Sequence, residues 1–391
     1  MAFNNMFFYL FLCLLFFGIG DFLGTLTKAK LSAVFVSLFL FLVGFMTGWI
    51  PADIVKQAGL QEIGKWAVLF IVFSMGTTIN FKQLLAEWRT VTTALLAMAT
   101  VIVAGFVMVP LIGYEETLVS IPIVNGGIVA TQIMTSAAME HNYTLAAALG
   151  TIVYAIQKFL GTPVASYYGL KEARRILDER HLYEDTLKAA AIEPALEEPS
   201  FFEKNKKFYG AFTSLAITAF FAWVSFVIGK WTGVSGTIWA LILGAVVSCT
   251  GMVPTNILKH ANSSGIFNVA VFAAIIPSLA RIRFEDLFTL GYMIVIMFVI
   301  VFIALYLMFH VLPGWRILGS KNLAMGVSVS QLLGFPATYL VVNEVAQAVA
   351  TNEEEKRLIT DRLMPKYLVG GFATVTSFSV IIAGIFETFI H

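Results

Sequence analysis

The chain has 391 residues, of which 59% are hydrophobic and 13% are charged, with a formal net charge of +1. Water-soluble globular proteins carry about 25% charged and about 45–50% apolar residues, so this composition excludes ordinary soluble enzymes and nucleic-acid-binding proteins. We therefore expect an all-α polytopic membrane protein whose surroundings are the lipid bilayer. The near-neutral charge gives no reason to expect nucleic acid as a partner.

Apolar stretches of about 20 residues, the length that crosses roughly 30 Å of hydrocarbon as a helix, recur along the whole chain. Twelve segments have this character: 6–20, 31–50, 64–79, 90–112, 119–138, 144–167, 208–229, 235–250, 265–280, 288–310, 323–341 and 366–388. A long polar stretch divides them into two groups of six. We therefore predict three parts: a first membrane repeat at 1–168, a cytoplasmic linker at 169–207 and a second membrane repeat at 208–391.

The two groups of segments resemble each other in sequence. Residues 48–58 (GWIPADIVKQA) reappear 203 positions later as 251–261 (GMVPTNILKHA). The same offset pairs three apolar residues one helix further along: Ile79, Phe81 and Leu84 with Ile282, Phe284 and Leu287. At an offset of 207, Gly127 and Thr131 correspond to Gly334 and Thr338. Matches in chain order at nearly constant offset predict an internal duplication.

The distribution of lysine and arginine between the loops indicates the orientation, because cytoplasmic loops carry the excess. If all twelve segments cross, the two faces carry 13 and 11 of these residues. If 119–138 and 323–341 instead dip in and return, the faces carry 19 and 5. We therefore predict a multi-pass plasma-membrane protein with ten crossings, two re-entrant hairpins, extracellular termini and a cytoplasmic linker. Because five crossings per half is an odd number, the two repeats are expected to be inverted.

Both predicted hairpins have a composition that interrupts a helix. The first contains Pro122 and the run from Asn125 to Gly127, and the second contains Gly334 and Pro336. Broken helices expose N-terminal ends that attract anions and carbonyl groups that coordinate cations. For each hairpin taken alone, a glycine-rich packing face between helices is an alternative. We expect the two tips to meet near the midplane around one cavity, which brings together Asn125, Gly126, Gly127, Ser330, Gln331 and Gly334.

This arrangement resembles the bacterial sodium/glutamate symporter family and, more distantly, the 2-hydroxycarboxylate transporters. The likeness rests on a duplicated half whose fifth segment is a glycine-rich hairpin containing Ala-Thr, at 125–131 and 334–338, and on the polar central linker. The resemblance implies a homodimer in which each chain has ten crossings and two hairpins. It further implies transport of a carboxylate substrate with sodium by an elevator motion of one domain against a scaffold.

Ionisable residues inside membrane spans are functional candidates, and Lys158 is the clearest one in this chain. We expect it to be a countercharge for an anionic substrate, although snorkelling to the interface and internal pairing remain open. The predicted substrate site therefore comprises Asn125, Gly126, Gly127, Thr131, Lys158, Ser330, Gln331, Gly334 and Thr338.

The coupling ion is expected to be sodium, because the spans carry no aspartate or glutamate near their middle that would relay protons. Carbonyl groups at the tips, together with hydroxyls, form a neutral oxygen cage in this hypothesis. The candidate hydroxyls are those of Thr131, Ser330, Thr338, Thr374, Thr376 and Ser377. The alternative for each hydroxyl is a hydrogen bond to the backbone of its own helix.

The leading functional hypothesis is a symporter that moves a small organic anion, an amino acid or carboxylate such as glutamate, with sodium. A passive channel or a proton-coupled exporter is the alternative. An enzyme is not expected, because His141, His260 and His310 are isolated and no metal-ligand or nucleophile motif occurs, so sodium is the only metal and no residue is predicted to be catalytic. A Gly-Lys-Ser/Thr phosphate loop is also absent from the sequence, which excludes an ATP-driven pump.

Overall fold

A computed structural model of the chain describes residues 5–26, 33–79, 85–179, 200–334 and 337–390. These residues are almost entirely helical, and no β-strand occurs among them. Seven helices in this part of the chain are long and apolar enough to cross a membrane: Met6–Leu23, Trp88–Ile112, Thr144–Asp178, Ala211–Thr232, Ser264–Arg281, Phe284–Val311 and Glu353–Phe389. The predicted all-α class is confirmed, and the long apolar helices are those of a membrane-embedded protein.

Eight helices make up the described part of the first half. They are α1 (Met6–Leu26), α2 (Ala33–Met46), α3 (Ile54–Gln57), α4 (Leu60–Gly76), α5 (Trp88–Ile112), α6 (Tyr114–Val124), α7 (Ile128–Glu140) and α8 (Thr144–Asp178). Two helices and a one-turn helix are thus followed by two further helices, a pair of half-length helices and a long final helix.

The second half has the same order of elements after a short helix α9 (Phe201–Asn205). Its helices are α10 (Ala211–Thr232), α11 (Gly236–Cys249), α12 (Ile257–His260), α13 (Ser264–Ile275), α14 (Phe284–Tyr306), α15 (Lys321–Val329), α16 (Ala337–Val349), α17 (Glu353–Phe372) and α18 (Ser379–Phe386). A 3-10 turn at Ile276–Arg281 extends α13, and a π-helical segment at Ala373–Phe378 joins α17 to α18. The half-length pair α15 and α16 occupies the place that α6 and α7 occupy in the first half.

The duplicated loops at 48–58 and 251–261 share a glycine turn and a one-turn helix, but they differ just before that helix, where Asp53 has φ −101° and Asn256 has φ 53°. Each begins with a glycine in the left-handed region, Gly48 at φ 69° and Gly251 at φ 66°, where a side chain would be strained. The one-turn helices α3 and α12 follow at the same position of the loop. The residues that end them, Ala58 and Ala261, donate to the carbonyl four residues earlier at 2.8 and 2.9 Å. The sequence match at this offset therefore accompanies a shared first turn and a shared one-turn helix.

The half-length helices α6 and α7 fold back into a hairpin against α8. A methyl group placed on Gly150 of α8 would lie 3.2 Å from Val119 of α6 and 3.6 Å from Thr135 of α7. In one straight helix these two residues would be roughly 24 Å apart, at about 1.5 Å per residue. They meet the same glycine because the chain reverses direction at the break between Val124 and Ile128.

The second pair, α15 and α16, reverses direction in the same way around Tyr367 of α17. A methyl group on Gly169 would lie 3.1 Å from both the Tyr367 hydroxyl and Val345 of α16. Gly326 of α15 packs against the same hydroxyl, which donates to the backbone carbonyl of Ala165 at 3.1 Å. Residues on both sides of the second break therefore converge on one tyrosine.

Two span limits predicted from hydropathy are wrong. The span predicted to end at 167 continues as α8 to Asp178, and the span predicted to begin at 366 starts as α17 at Glu353. Hydropathy marks the part of a helix that can lie in hydrocarbon, whereas the adjoining Lys-, Glu- and Arg-rich turns have high helix propensity and prolong it. The start of α17 is fixed by Asn352, whose side chain accepts from the N–H of Glu355 at 2.8 Å. Most of the predicted linker, 180–199, lies outside the described residues.

Small residues let α4 pack closely against α11 and α13. A side chain on Gly64 would meet the carbonyl of Ala270 at 2.9 Å, and one on Gly76 would meet the Cα of Gly244 at the same distance. The hairpins lie instead on α8 and on the α17–α18 helix, while α5 contacts α14. Helices α7 and α18 touch α13 and α11, respectively, so the hairpin helices border the α4 group. This border is where the open space in the fold is found.

Candidate substrate and ion site

The two hairpin tips converge on Val375 in the π-helical segment. A methyl group on Gly127 of the first tip would lie 2.7 Å from Val375 Cγ1, and one on Gly334 of the second tip would lie 3.0 Å from the same atom. Both tips approach this closely because neither glycine has a side chain. The geometry thus brings the first and second predicted tips to one point of the last helix.

The last helix is irregular where the tips contact it. Its backbone widens to π-helical hydrogen bonding at Ala373–Phe378, a local irregularity that is frequent at functional sites. Just before this segment, a methyl group on Gly371 would lie 2.8 Å from Thr338 Cγ2 and 3.4 Å from the carbonyl oxygen of Ser330. Both predicted residues therefore border the same helix within one turn of Val375.

Three buried amide side chains at the tips have polar atoms without a partner. Asn125 donates to the Ile121 carbonyl at 3.1 Å, and Gln157 of α8 donates to the Gly126 carbonyl at 3.0 Å, but the oxygen of each amide accepts nothing. Neither the nitrogen nor the oxygen of Gln331 has a partner. All three side chains are at most 1% exposed. Leaving such groups unsatisfied costs about 1–3 kcal/mol each, so their placement calls for a ligand, ion or water.

The predicted cation-binding hydroxyls bond their own helices. In each case the hydroxyl donates to the carbonyl four residues earlier: Thr131 at 3.0 Å, Ser330 at 3.0 Å, Thr338 at 3.3 Å, Thr374 at 2.8 Å and Thr376 at 2.5 Å. This is the alternative named for hydroxyls inside spans. Because these hydroxyls act as donors in those bonds, the oxygens of Thr131, Ser330, Thr338 and Thr374 can still coordinate a cation. The Ser377 side chain lies outside the described residues.

Lys158 lies next to the tip contacts, at the edge of the face of α8 that makes them. The residues of α8 that touch the tips are Gln157, which donates to Gly126, and Gly161, which packs 3.0 Å from Leu332. Successive residues of a helix are rotated by about 100°, so the Lys158 side chain leaves α8 at the edge of this contact face, about 100° from Gln157 and about 60° from Gly161. It is half-buried, and its Nζ lies 5.8 Å from the centroid of the Tyr154 ring. Among the described residues, no carboxylate forms an ion pair with it.

A cavity of about 310 Å³ opens where the last helix faces α4 and α13. Val375 belongs to its wall as well as to the tip contacts. Its polar lining residues are all uncharged: Ser74, Thr78, Asn256, Ser264, Asn268 and Thr376. The volume is at the lower end of the range for pockets that hold small molecules. A small solute therefore has space directly beside the converging tips.

Sequence reasoning missed three residues that organise the site. Val375, Gly371 and Gln157 were not among the predicted site residues. The Gly370–Gly371 pair in an otherwise apolar span was a usable signal, because adjacent glycines permit close approach of another backbone. Gln157 stands beside Lys158 in the same apolar run and carried a similar signal. Val375 gave no sequence signal, because a valine in an apolar helix is usually an ordinary packing residue.

Comparison of the sequence with models of known protein families finds no match, and a search of curated proteins finds no significant relative. The similarity to the symporter family described above therefore rests on the hairpin motifs and the order of the segments. Any assignment of activity has to be argued from the geometry of the tips, the amides and the cavity.

Proposed function

We propose that the chain is a secondary active transporter of the plasma membrane that carries a small organic anion, an amino acid or carboxylate such as glutamate, together with sodium. The observation that supports this most directly is the meeting of two broken-helix tips at Val375. Interrupted helices that meet inside a membrane protein are the usual setting of substrate and ion sites in secondary transporters. Backbone without regular hydrogen bonding persists there because it lines a polar site.

The proposed topology has ten crossings and two re-entrant hairpins that enter from opposite faces, with both termini extracellular and the linker cytoplasmic. The matching order of elements in the two halves supports an inverted repeat. The shared left-handed turn at Gly48 and Gly251 gives the same support. The helices of each hairpin are too short to cross: α6 and α7 have 11 and 13 residues, and α15 and α16 have 9 and 13. At about 1.5 Å per residue, these helices reach roughly the middle of the bilayer.

Charge complementarity explains how the tips bind an anion and a cation together. Helix α7 begins directly after the first tip at Ile128, so its positive N-terminal end points to where the tips meet. An anion gains about 0.3–1 kcal/mol at such a helix end, and up to about 2 kcal/mol in a buried setting. The unpartnered oxygens of Asn125 and Gln157 supply neutral ligands for sodium. Lys158 adds a full countercharge in this proposal.

An elevator motion is the proposed way in which the site changes sides. The hairpins and the long helices α8 and α17–α18 form one group, and α4, α11 and α13 form another, with the 310 Å³ cavity between them. Sliding of the first group along the second would carry the tips across the membrane without separating them. In this proposal the second group is the scaffold and holds the partner chain of a homodimer.

Counterflow into proteoliposomes tests the proposal. Labelled glutamate, aspartate, malate and citrate are each presented to vesicles that contain the unlabelled compound, in sodium or in choline medium. We expect exchange of at least one compound, with net uptake that requires a sodium gradient. Net uptake driven equally well by a pH gradient in choline would favour a proton-coupled exporter. Flux that neither gradient accelerates and that shows no counterflow would favour a passive channel.

A further inference from the structure

A second cavity, of about 570 Å³, lies at the other end of α4. Its wall combines the N-terminal part of α4 with the second half-helix of the first hairpin, α7, and with the end of the chain at Glu387. In the proposed topology this end of α4 faces outward. Unlike the first cavity, it carries charged side chains: Lys65, Glu140 and Glu387.

The two cavities use equivalent positions of the two halves. At the offset of 203 residues that relates the duplicated loops, Gln61 and Lys65 in the second cavity correspond to Ser264 and Asn268 in the first. The cavities are therefore counterparts at opposite ends of the packed pair α4 and α13. The charged groups are confined to one of them, so the two openings of the proposed pathway differ in the ion they attract.

Oxygen-bearing side chains form a continuous line along α7 in the second cavity. Gln132, Ser136 and Glu140 are spaced four residues apart and lie on one face of the helix. Glu140 is exposed, whereas Gln132 is 3% exposed and lies roughly 12 Å further in, at about 1.5 Å per residue. The Gln132 nitrogen donates to the carbonyl of Gly64 at 2.7 Å, and its oxygen has no partner. The buried side-chain oxygen of Gln132 is therefore an unused hydrogen-bond acceptor at the inner end of this row.

The electrostatics of this cavity favour a cation. Glu140 and Glu387 both line the cavity, and the like charge of Glu140 acts on Glu387, which is also partly buried and bonded to Ser235; a positive ion in the cavity would relieve that repulsion. The one lysine in the wall, Lys65, forms an exposed ion pair with Glu62 at 2.9 Å, so two carboxylates face one lysine in the wall itself. Glu140 also stands at the C-terminal end of α7, where the helix dipole attracts positive charge. Two independent sources of negative potential thus coincide at the outer end.

We infer that Glu140 and Glu387 form an outer binding site for sodium, from which the ion passes along Ser136 to the free oxygen of Gln132. This inference rests on the proposed function, because it describes how the coupling ion reaches the tips. The cavity is large enough for a bound ion to keep part of its water, which would complete a ligand set that the two carboxylates only begin. In this inference the carboxylates of Glu140 and Glu387 attract the ion from solution, and the uncharged hairpin tips bind it.

Binding of radioactive sodium to the purified full-length protein tests this site without any transport substrate. The variants are Glu140→Gln, Glu387→Gln and the double variant. Glu115→Gln is the matched control, because it removes one carboxylate from the first half-helix of the same hairpin but does not line the cavity. Since Glu140 is exposed, Glu140→Gln is not expected to disturb folding. Gel filtration of each variant checks this.

We expect the sodium dissociation constant to rise about tenfold or more in the double variant and less than twofold in the control. Focusing of the field in a charged cleft changes local ion concentration by factors of about 10 to 1,000, and the difference should shrink at high ionic strength. Unchanged sodium binding in the double variant would overturn the outer site and leave the proposed function standing. Loss of sodium binding in the double variant of a protein that shows no counterflow would support the site and count against the transporter.

Discussion

Replacement of Gly127 by alanine tests whether the tips really converge on Val375. The added methyl group would lie 2.7 Å from Val375 Cγ1, which is too close for two carbon atoms. Overpacking of this kind costs about 1–3 kcal/mol, because the valine or the tip has to move. The backbone at Gly127 has φ −112°, which alanine adopts without strain, so the clash with the Val375 side chain is the main effect, beside a tight 3.3 Å approach to the Val375 carbonyl oxygen. Removing the opposing methyl groups with Val375→Ala should relieve it.

A comparison with Gly334→Ala separates the clash from backbone strain. The methyl group on Gly334 would meet the same Val375 Cγ1 at 3.0 Å, but this glycine has φ 64°. An alanine in the left-handed region carries an additional cost of about 1–2 kcal/mol. Val375→Ala should therefore rescue Gly127→Ala almost fully and Gly334→Ala only in part.

The assay is the apparent unfolding temperature of the purified variants, followed by the fluorescence of the chain's seven tryptophans. A change of 1 kcal/mol corresponds to roughly 2 °C for a large domain, so Gly127→Ala should lower the temperature by about 2–6 °C. The coupling between the two substitutions in a double-mutant cycle should be about 1–3 kcal/mol. Strictly additive effects of Gly127→Ala and Val375→Ala would refute the convergence of the first tip on this residue.

Three further outcomes are expected. Lys158→Met should weaken binding of an anionic substrate about tenfold, or 1.4 kcal/mol, in an equilibrium binding assay, whereas Lys158→Arg should not; equal affinity of Lys158→Met and the parent would remove the countercharge role. A single cysteine at position 185, in a background without Cys13 and Cys249, should resist an impermeant thiol reagent on whole cells, and labelling from outside would reverse the topology. Gly244→Ala should lower the unfolding temperature because the methyl group meets the Phe73 carbonyl, whereas Gly291→Ala, which meets nothing within 4 Å, should not.

The hairpins were predictable because their composition conflicts with an uninterrupted helix. Glycine and proline clustered inside apolar segments at 122–132 and 328–338, and the lysine and arginine distribution favoured segments that return. In the structure α6 and α7 pack against each other, and α15 and α16 both pack against α8. The ends of α8 and α17 were predicted less well, because hydropathy reports the surroundings of a helix and not the hydrogen bonding that continues beyond the apolar stretch.

The contacts between the tips and the last helix could not be predicted. Val375 contacts the tips because Gly127 and Gly334 lie beside it in the folded chain. Where these glycines lie depends on how α8 and α17 pack. The π-helical segment at Ala373–Phe378 is rich in β-branched and hydroxyl residues, which weaken a helix but do not distinguish π-helical from α-helical hydrogen bonding. Lys158 attracted attention because a charge in a membrane is costly, but a rotation of about 100° places its neighbour Gln157 against the tip instead.

The neutral character of the tips gives a physical reason for the proposed coupling. The side chains that reach the break points, Asn125, Gln157 and Gln331, carry no charge, so in this proposal a sodium ion held by their oxygens adds a second positive charge to that of Lys158 for an anionic substrate. Each ligand then stabilises the other, and linkage requires the same factor in both directions. We expect saturating sodium to lower the substrate dissociation constant by about 5–150-fold, and saturating substrate to lower that of sodium equally. Titration of each ligand at zero and saturating levels of the other measures both factors. Independent binding would mean that the anion is held without the ion, and Lys158 would then have to supply the charge.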